Sequence, residues 1–188
     1  MSKQKGNYGK KVISENDANK LVFLDECGVN TDMTRHYARA KSNERAADST
    51  PVNTPCSTTI LSSVRLNSQT AYTVYRGETT AEQFAEYLKN TLLPTLSKDD
   101  IIVMDNMRSH HSKSVKEVLN TSGIQYLYLP PYSPDFNPIE KMWSKIKAYL
   151  RKVKIRAAAG LPDAIQRAFF TVCTSDCSGW FRSCGCVR

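Results

Sequence analysis

Two kinds of hydrophobic pattern alternate along the chain: short unbroken apolar runs, and longer stretches in which apolar residues recur at helical spacing. Leu21-Val22-Phe23-Leu24 is a run of the first kind and ends at Asp25-Glu26; Ile101-Ile102-Val103-Met104 is another and ends at Asp105. Runs this short with no polar alternation predict strands buried on both faces. Tyr126-Leu127-Tyr128-Leu129 predicts a third strand, and 57–66 with 70–76 predict an antiparallel hairpin turning around Gln69. The helical pattern covers Thr80 to Leu93, where Phe84, Tyr87, Leu88 and Leu92 share a face and Pro94 is a stop signal. It returns from Ser112 to Thr121, with Val115, Val118 and Leu119 on one side and Gly123 closing the helix. A proline-rich segment, Pro130 to Pro138, delivers a third helix beginning near Ile139. Its apolar face is Ile139, Met142, Trp143, Ile146 and Leu150. A further helix is expected from Leu161 to Val172. Strands first, then helix and strand in alternation, predict an α/β fold: a mixed sheet with helices packed against it.

Composition narrows the class. With 188 residues, 40% hydrophobic and 23% charged, the chain can build one globular domain with a real core. No apolar run approaches the roughly 20 residues that span a bilayer, so no membrane partner is expected. The polar, lysine-rich first residues do not resemble an apolar signal core, which points to a cytoplasmic protein. Residues 1–19 read as a flexible lead-in or linker remnant, and 41–55, rich in Ser, Thr, Asn and Pro, as a loop.

The formal charge of +8 is concentrated. Lys141, Lys145, Lys147, Arg151, Lys152, Lys154 and Arg156 follow one another with no acidic residue between them. Such a block suits a polyanion, because each cation set against a phosphate releases counterions. It equally suits a helix face kept basic for solubility, and charge alone leaves the two readings level. The ending Cys173, Cys177, Cys184, Cys186 invites a zinc site, but two cysteines one residue apart fit zinc spacing poorly. Reduced, partly buried thiols are the default expectation.

The chemistry lies where two buried-type strands finish on an aspartate. Ligands of open α/β sheets gather outside the carboxyl ends of strands. If the strands are neighbours, Asp25 and Asp105 lie close together, and like charges so placed need a cation. Hard divalent ions with oxygen ligands answer that need, magnesium first. Asn137-Pro138-Ile139-Glu140 offers a third carboxylate in the first turn of the basic helix. Asn137 as N-cap with Glu140 at the third helical position is also an ordinary capping arrangement. Asp25-Glu26 and Asp105-Asn106 could likewise be simple turn residues. None of these readings explains why both buried strands finish alike.

Three segments carry a resemblance. LVFLDECGVNTDMTRHYAR (Leu21 to Arg39), IIVMDNMRSH (Ile101 to His110) and LYLPPYSPDFNPIEKMWSKIK (Leu127 to Lys147) resemble bacterial insertion-sequence transposases of the mariner-like DDE superfamily. The similarity spans about 20–185, and thirty-four residues, 106 to 139, separate Asp105 from Glu140 as in that family's acidic triad. The resemblance implies an RNase H-like catalytic domain over 20–156, followed by a C-terminal helical extension over 157–188. It implies catalytic, metal-binding roles for Asp25, Asp105 and Glu140 around two Mg²⁺ ions, with Mn²⁺ able to substitute. Asp25 would bridge both ions, which activate water or a DNA 3′-hydroxyl and stabilise the leaving oxygen. It further implies cleavage and strand transfer on double-stranded DNA, a homodimeric synaptic complex, and association with the bacterial nucleoid.

Less direct roles follow from the same resemblance. Glu26, Asn106, His110 and Asn137 stand where the family has polar residues near the site, and could orient ligands or contact DNA. Arg35, Arg39, Lys141 and Lys145 could meet phosphates, though solvated faces account for them too. Trp143 reads as a core anchor. Members of the family carry helix-turn-helix domains ahead of the catalytic domain, and the residues before Asp25 are too few for one. An upstream helix-turn-helix polypeptide is therefore a possible partner, and a fragment, a second reading frame or a degenerate copy are possible origins. Two alternatives stand beside the enzyme: a non-catalytic DNA-binding remnant, and an RNase H-like nuclease or resolvase.

Overall fold

The computed structural model describes residues 15–33, 41–42, 57–131 and 133–187. Most of the expected lead-in (1–14), nearly all of the 41–55 loop, Cys56, Arg35 and Arg39 lie outside these residues. Strand β1 is Leu21–Val29, β2 Thr58–Val64, β3 Tyr72–Arg76, β4 Ile101–Met104 and β5 Gln125–Tyr128. They form one sheet in the order β3-β2-β1-β4-β5. The first three strands pair antiparallel, and β4 and β5 join β1 in parallel. The hairpin is as expected, turning over Arg65 to Gln69 with Ser68 in the left-handed region at φ 68°. The last strand begins one residue earlier than its apolar run and leaves Leu129 just beyond it, because pairing starts at Gln125 opposite Ile101.

Helix α1 is Ala81–Tyr87, α2 Lys113–Ser122, α3 Pro138–Val153, α4 Leu161–Phe169 and α5 Thr174–Ser183. The start of α1 is a capping box, with Thr80 and Gln83 each satisfying the other's backbone N–H. Beyond Tyr87 the expected continuous helix widens into a π-turn over Leu88–Leu92, then tightens into a 3₁₀ turn over Leu93–Thr95. Pro94 thus sits inside the closing turn, where its missing N–H costs little, instead of following the helix. Helix α2 runs from the Ser112 cap to Gly123, whose φ of 69° suits a residue without Cβ. Helix α4 stops at Phe169, three residues short of the expected end, and a separate short helix, α5, follows.

Side-chain alternation divides the sheet cleanly. Leu21, Phe23, Cys27 and Val29 face the layer of α3, α4 and α5, packing with Ile139, Trp143, Ile165 and Phe181. Val22 and Leu24 face α1 and α2, with Phe84, Leu88, Val115 and Leu119. Aromatic contacts tie α4 and α5 into the first core: Tyr72 stacks on Phe169 at 4.0 Å, and Phe23 meets Phe181 edge-on at 5.3 Å. Among the described residues no helix is long and apolar enough to cross a membrane. The five described cysteines are all free thiols, and Cys177, Cys184 and Cys186 are buried.

At the rim where β1 and β4 begin, Arg65 reaches across to Asp100, one bond at 3.1 Å between Nη1 and Oδ1 and a second from Nη2 to Oδ2. The Ser97 N–H also donates to Asp100, at 2.6 Å. Burial would push this carboxyl up, but the Arg65 and Ser97 bonds outweigh it and hold it below the usual range. A depressed folded pKa means stability that is present above the unfolded value, about 4, and lost as pH falls through the folded one. Asp100→Asn should therefore cost about 3 kcal/mol at pH 7 by stranding Arg65, seen as a drop in melting temperature of roughly 6–12 °C. The gap from wild type should close below about pH 4.

Candidate active site

Asp25 is not the last residue of its strand. Strand β1 continues four residues past it, because β2 pairs with β1 as far as Val29 opposite Thr58. On its other side β1 loses its partner at Asp25: pairing with β4 runs only from Leu21 opposite Ile101 to Leu24 opposite Met104. Asp25 and Asp105 are thus the next residues in one parallel register, Asp25 within a strand and Asp105 just past the end of one. By alternation Asp25 shares the face of Phe23 and Cys27, toward α3.

The first turn of α3 supplies Glu140, and the capping explanation for it does not hold. Asn137 makes no side-chain cap bond. Its N–H is taken by the Pro134 carbonyl at 3.0 Å, inside the 3₁₀ turn Pro134–Phe136, so Glu140 has no N–H to reach back to. The Glu140 N–H instead donates to the Asn137 carbonyl at 3.2 Å. The Glu140 side chain is left exposed, while Asn137 is buried with its Oδ1 unpartnered.

One turn along α3, the Trp143 indole N–H donates to Asp25 Oδ2 at 3.1 Å. Asp25 is only 6% exposed. Burial, relieved in part by the Glu26 backbone and Trp143 bonds and reinforced by the Glu140 and Asp105 charges, pushes its carboxyl up to about 7. Asp105 is held differently. Its Oδ1 accepts from the Met107 N–H at 3.3 Å, the turn arrangement expected of an Asp-Asn pair, and lies 2.7 Å from His110 Nδ1. His110 is wholly buried, stacks on Phe84 at 4.3 Å, and leaves Nε2 unpartnered. Burial pulls its imidazole down, and the Asp105 bonds more than restore it. The Tyr128 hydroxyl donates to the His110 carbonyl at 3.0 Å and steadies the same turn.

A cavity of about 380 Å³ lies between Asp105 and Glu140, walled by Asn106, Met107, Asn137, Leu129, Pro130, Pro131, Ser133 and Pro134. The remaining candidates scatter. Glu26 projects to the opposite face of the sheet, half-buried, its carboxyl raised by burial despite His110. Asn106 is spent on His111, Oδ1 to Nε2 at 2.5 Å. Lys141 is exposed, and Lys145 is paired with Asp176 of α5 at 2.5 Å. Trp143 as a partner of Asp25 escaped the pattern reading, although an indole on an apolar helix face needs an acceptor when buried.

Among the described residues no three His, Cys, Asp or Glu side chains are gathered closely enough to hold an ion as they stand. The donor chemistry nonetheless suits a hard cation: all three acids offer oxygen, and the ionisable groups acting on Asp25 are themselves negative. The unpartnered Asn137 Oδ1 is a fourth oxygen beside the same cavity.

In overall shape the chain is an RNase H-like domain. It aligns with the pre-cleavage Mos1 transpososome with a TM-score of 0.77 at 16% identity, over 97% of this chain and 58% of that one. It also aligns with the Mos1 transposase catalytic domain bound to Raltegravir and Mg, with a TM-score of 0.67 at 15% identity, over 97% and 88% of the two chains. The sequence model of the DDE superfamily endonucleases matches residues 20–161, and the chain belongs to that family. The Tcb2 transposase of Caenorhabditis briggsae is 31% identical over 87 residues, which is 44% of this chain. The aligned part spans about a third (32%) of that relative's length.

The raised pKa of Asp25 has a definite sign. A group whose folded value lies above its unfolded one contributes stability below about pH 4 that is lost as pH rises through about 7. In EDTA, Asp25→Asn should therefore stabilise the chain by on the order of 2 kcal/mol at pH 8 and have no such effect near pH 4. Thermal melts at both pH values check this.

Proposed function

We propose that this chain is the catalytic part of a DNA transposase, cutting phosphodiester bonds at element ends and joining the freed ends to target DNA. The observation that carries the reading is the shared register of Asp25 and Asp105 on the sheet face covered by α3, whose first turn bears Glu140. Family membership over 20–161 supports it independently. In this reading Asp25, Asp105 and Glu140 hold two divalent ions, Mg²⁺ with Mn²⁺ as substitute. Bound there, the ions would supply an activated water or 3′-hydroxyl and charge neutralisation at the leaving oxygen.

The chain's own residues do the rest. Trp143 fixes one oxygen of Asp25. His110 holds Asp105 from behind, as a positioning residue. Leu129, Pro130, Pro131 and Pro134 wall one side of the cavity that Asp105 and Glu140 line. Residues 20–156 form the catalytic region, and the extension 157–188 seats α3 from behind through Phe169 and Phe181. Substrate is double-stranded DNA; two copies pair two element ends; a helix-turn-helix polypeptide supplies recognition of those ends. The Mos1 transposase paired-end complex with a left transposon end supports the pairing of DNA ends in this reading.

Nicking of supercoiled plasmid by the purified chain tests the proposal. Activity is expected with Mg²⁺ or Mn²⁺ and not in EDTA. Asp105→Asn should lower it at least ~100-fold with the fold intact, and Glu140→Gln should do the same, far beyond the roughly 1 kcal/mol that a lost cap costs. Nicking retained by Asp105→Asn would overturn the site. Unchanged nicking by Glu140→Gln would remove α3 from the chemistry.

A further inference from the structure

Seven cations punctuate 141–156, and the fold sorts them. Lys145, which the motif made a candidate for phosphate, is committed to Asp176 and clamps α5 to α3. Lys147 and Arg151 have no carboxylate partner among the described residues. With about 3.6 residues per turn, positions 140, 144, 147 and 151 fall on one edge of α3, whereas 145 points well away from it. This edge starts at Glu140, beside the acid-lined cavity, passes exposed Ser144, and continues through Lys147 to Arg151.

The edge also tracks β1. Trp143 bonds to Asp25, and Lys147 follows about one turn later, half-buried. Arg151 follows one further turn on, roughly 6 Å along the axis. A row that begins with a carboxylate at the cavity and turns cationic over the next two or three turns has the polarity a bound nucleic-acid strand requires: acid where the backbone is cut, base where it is only held.

We propose that the Lys147–Arg151 edge of α3, and not Lys145, binds the phosphate backbone of double-stranded DNA leading away from the cavity; this rests on the DNA reading above. The two cations each neutralise a phosphate, and Lys145 keeps a purely structural role. Nothing in this requires base recognition, so the contact is independent of sequence and sensitive to salt.

The test is fluorescence anisotropy of a labelled 30-base-pair duplex with the full chain, in EDTA, across a salt series. Lys147→Gln and Arg151→Gln should each lower the slope of log affinity against log salt by about 0.9. Lys147→Arg should keep the wild-type slope. Lys145→Gln should keep it too, while lowering the melting temperature through loss of the Asp176 pair. Wild-type slopes in both Gln variants, or an equal fall in Lys145→Gln, would overturn the proposed edge and leave the DNA reading intact. A wild-type chain that binds no duplex at any salt would overturn both.

Discussion

A carboxylate almost wholly removed from water is costly unless something meets its charge. Asp25 sits in the middle of a nine-residue strand, and the protein gives it one indole N–H and the Glu26 backbone. It sets two more acids nearby instead of a cation. Much of the architecture follows from that choice. Strand β4 must stop at Met104 to open the sheet beside Asp25, and α3 must lie along β1 so that Trp143 can reach it. The contact that partly satisfies Asp25 is also the one that sets the height of Glu140 above the sheet. Strand and helix are thereby registered to each other at the point where the chemistry is proposed.

Helix α3 has to satisfy several demands with sixteen residues. Its inner face, from Ile139 through Leu150, closes the core over β1. Its N-terminal turn presents Glu140, and Lys145 fastens α5 to its side. The prolines before it serve the same end. They make a stiff wall for the cavity, and by steering the Asn137 N–H to Pro134 they keep the Glu140 carboxylate from folding back into a cap. A stabilising local interaction is forgone at the place where a free carboxylate is needed, which is where local rules tend to be broken for function.

The strands, the hairpin and the apolar face of α3 were legible in the sequence because burial on one or both faces writes itself directly into residue order. Asp25 and Asp105 stood out for the same reason, each closing an apolar run. What the pattern could not show was pairing. That β1 runs on to Val29 depends on β2, a partner brought from thirty residues away, and Gly28 and the polar Glu26 hid the continuation. The π-turn after Tyr87 and the early stop of α4 are settled by packing, not by propensity. The fate of Lys145 depended on Asp176, in a C-terminal helix whose packing against α3 the residue order does not reveal. Trp143 read as core, and it is core; its bond to Asp25 is a fact of three dimensions.

The central claim is that Asp25, Asp105 and Glu140 form one divalent-cation site. Its most direct test is titration of the chain with Mn²⁺ at pH 8, reading free Mn²⁺ by electron paramagnetic resonance. Two ions bound per chain, with binding lost in Asp25→Asn, is the predicted result. Mn²⁺ binding by Asp25→Asn equal to that of the wild type, or none by the wild-type chain, would contradict the claim.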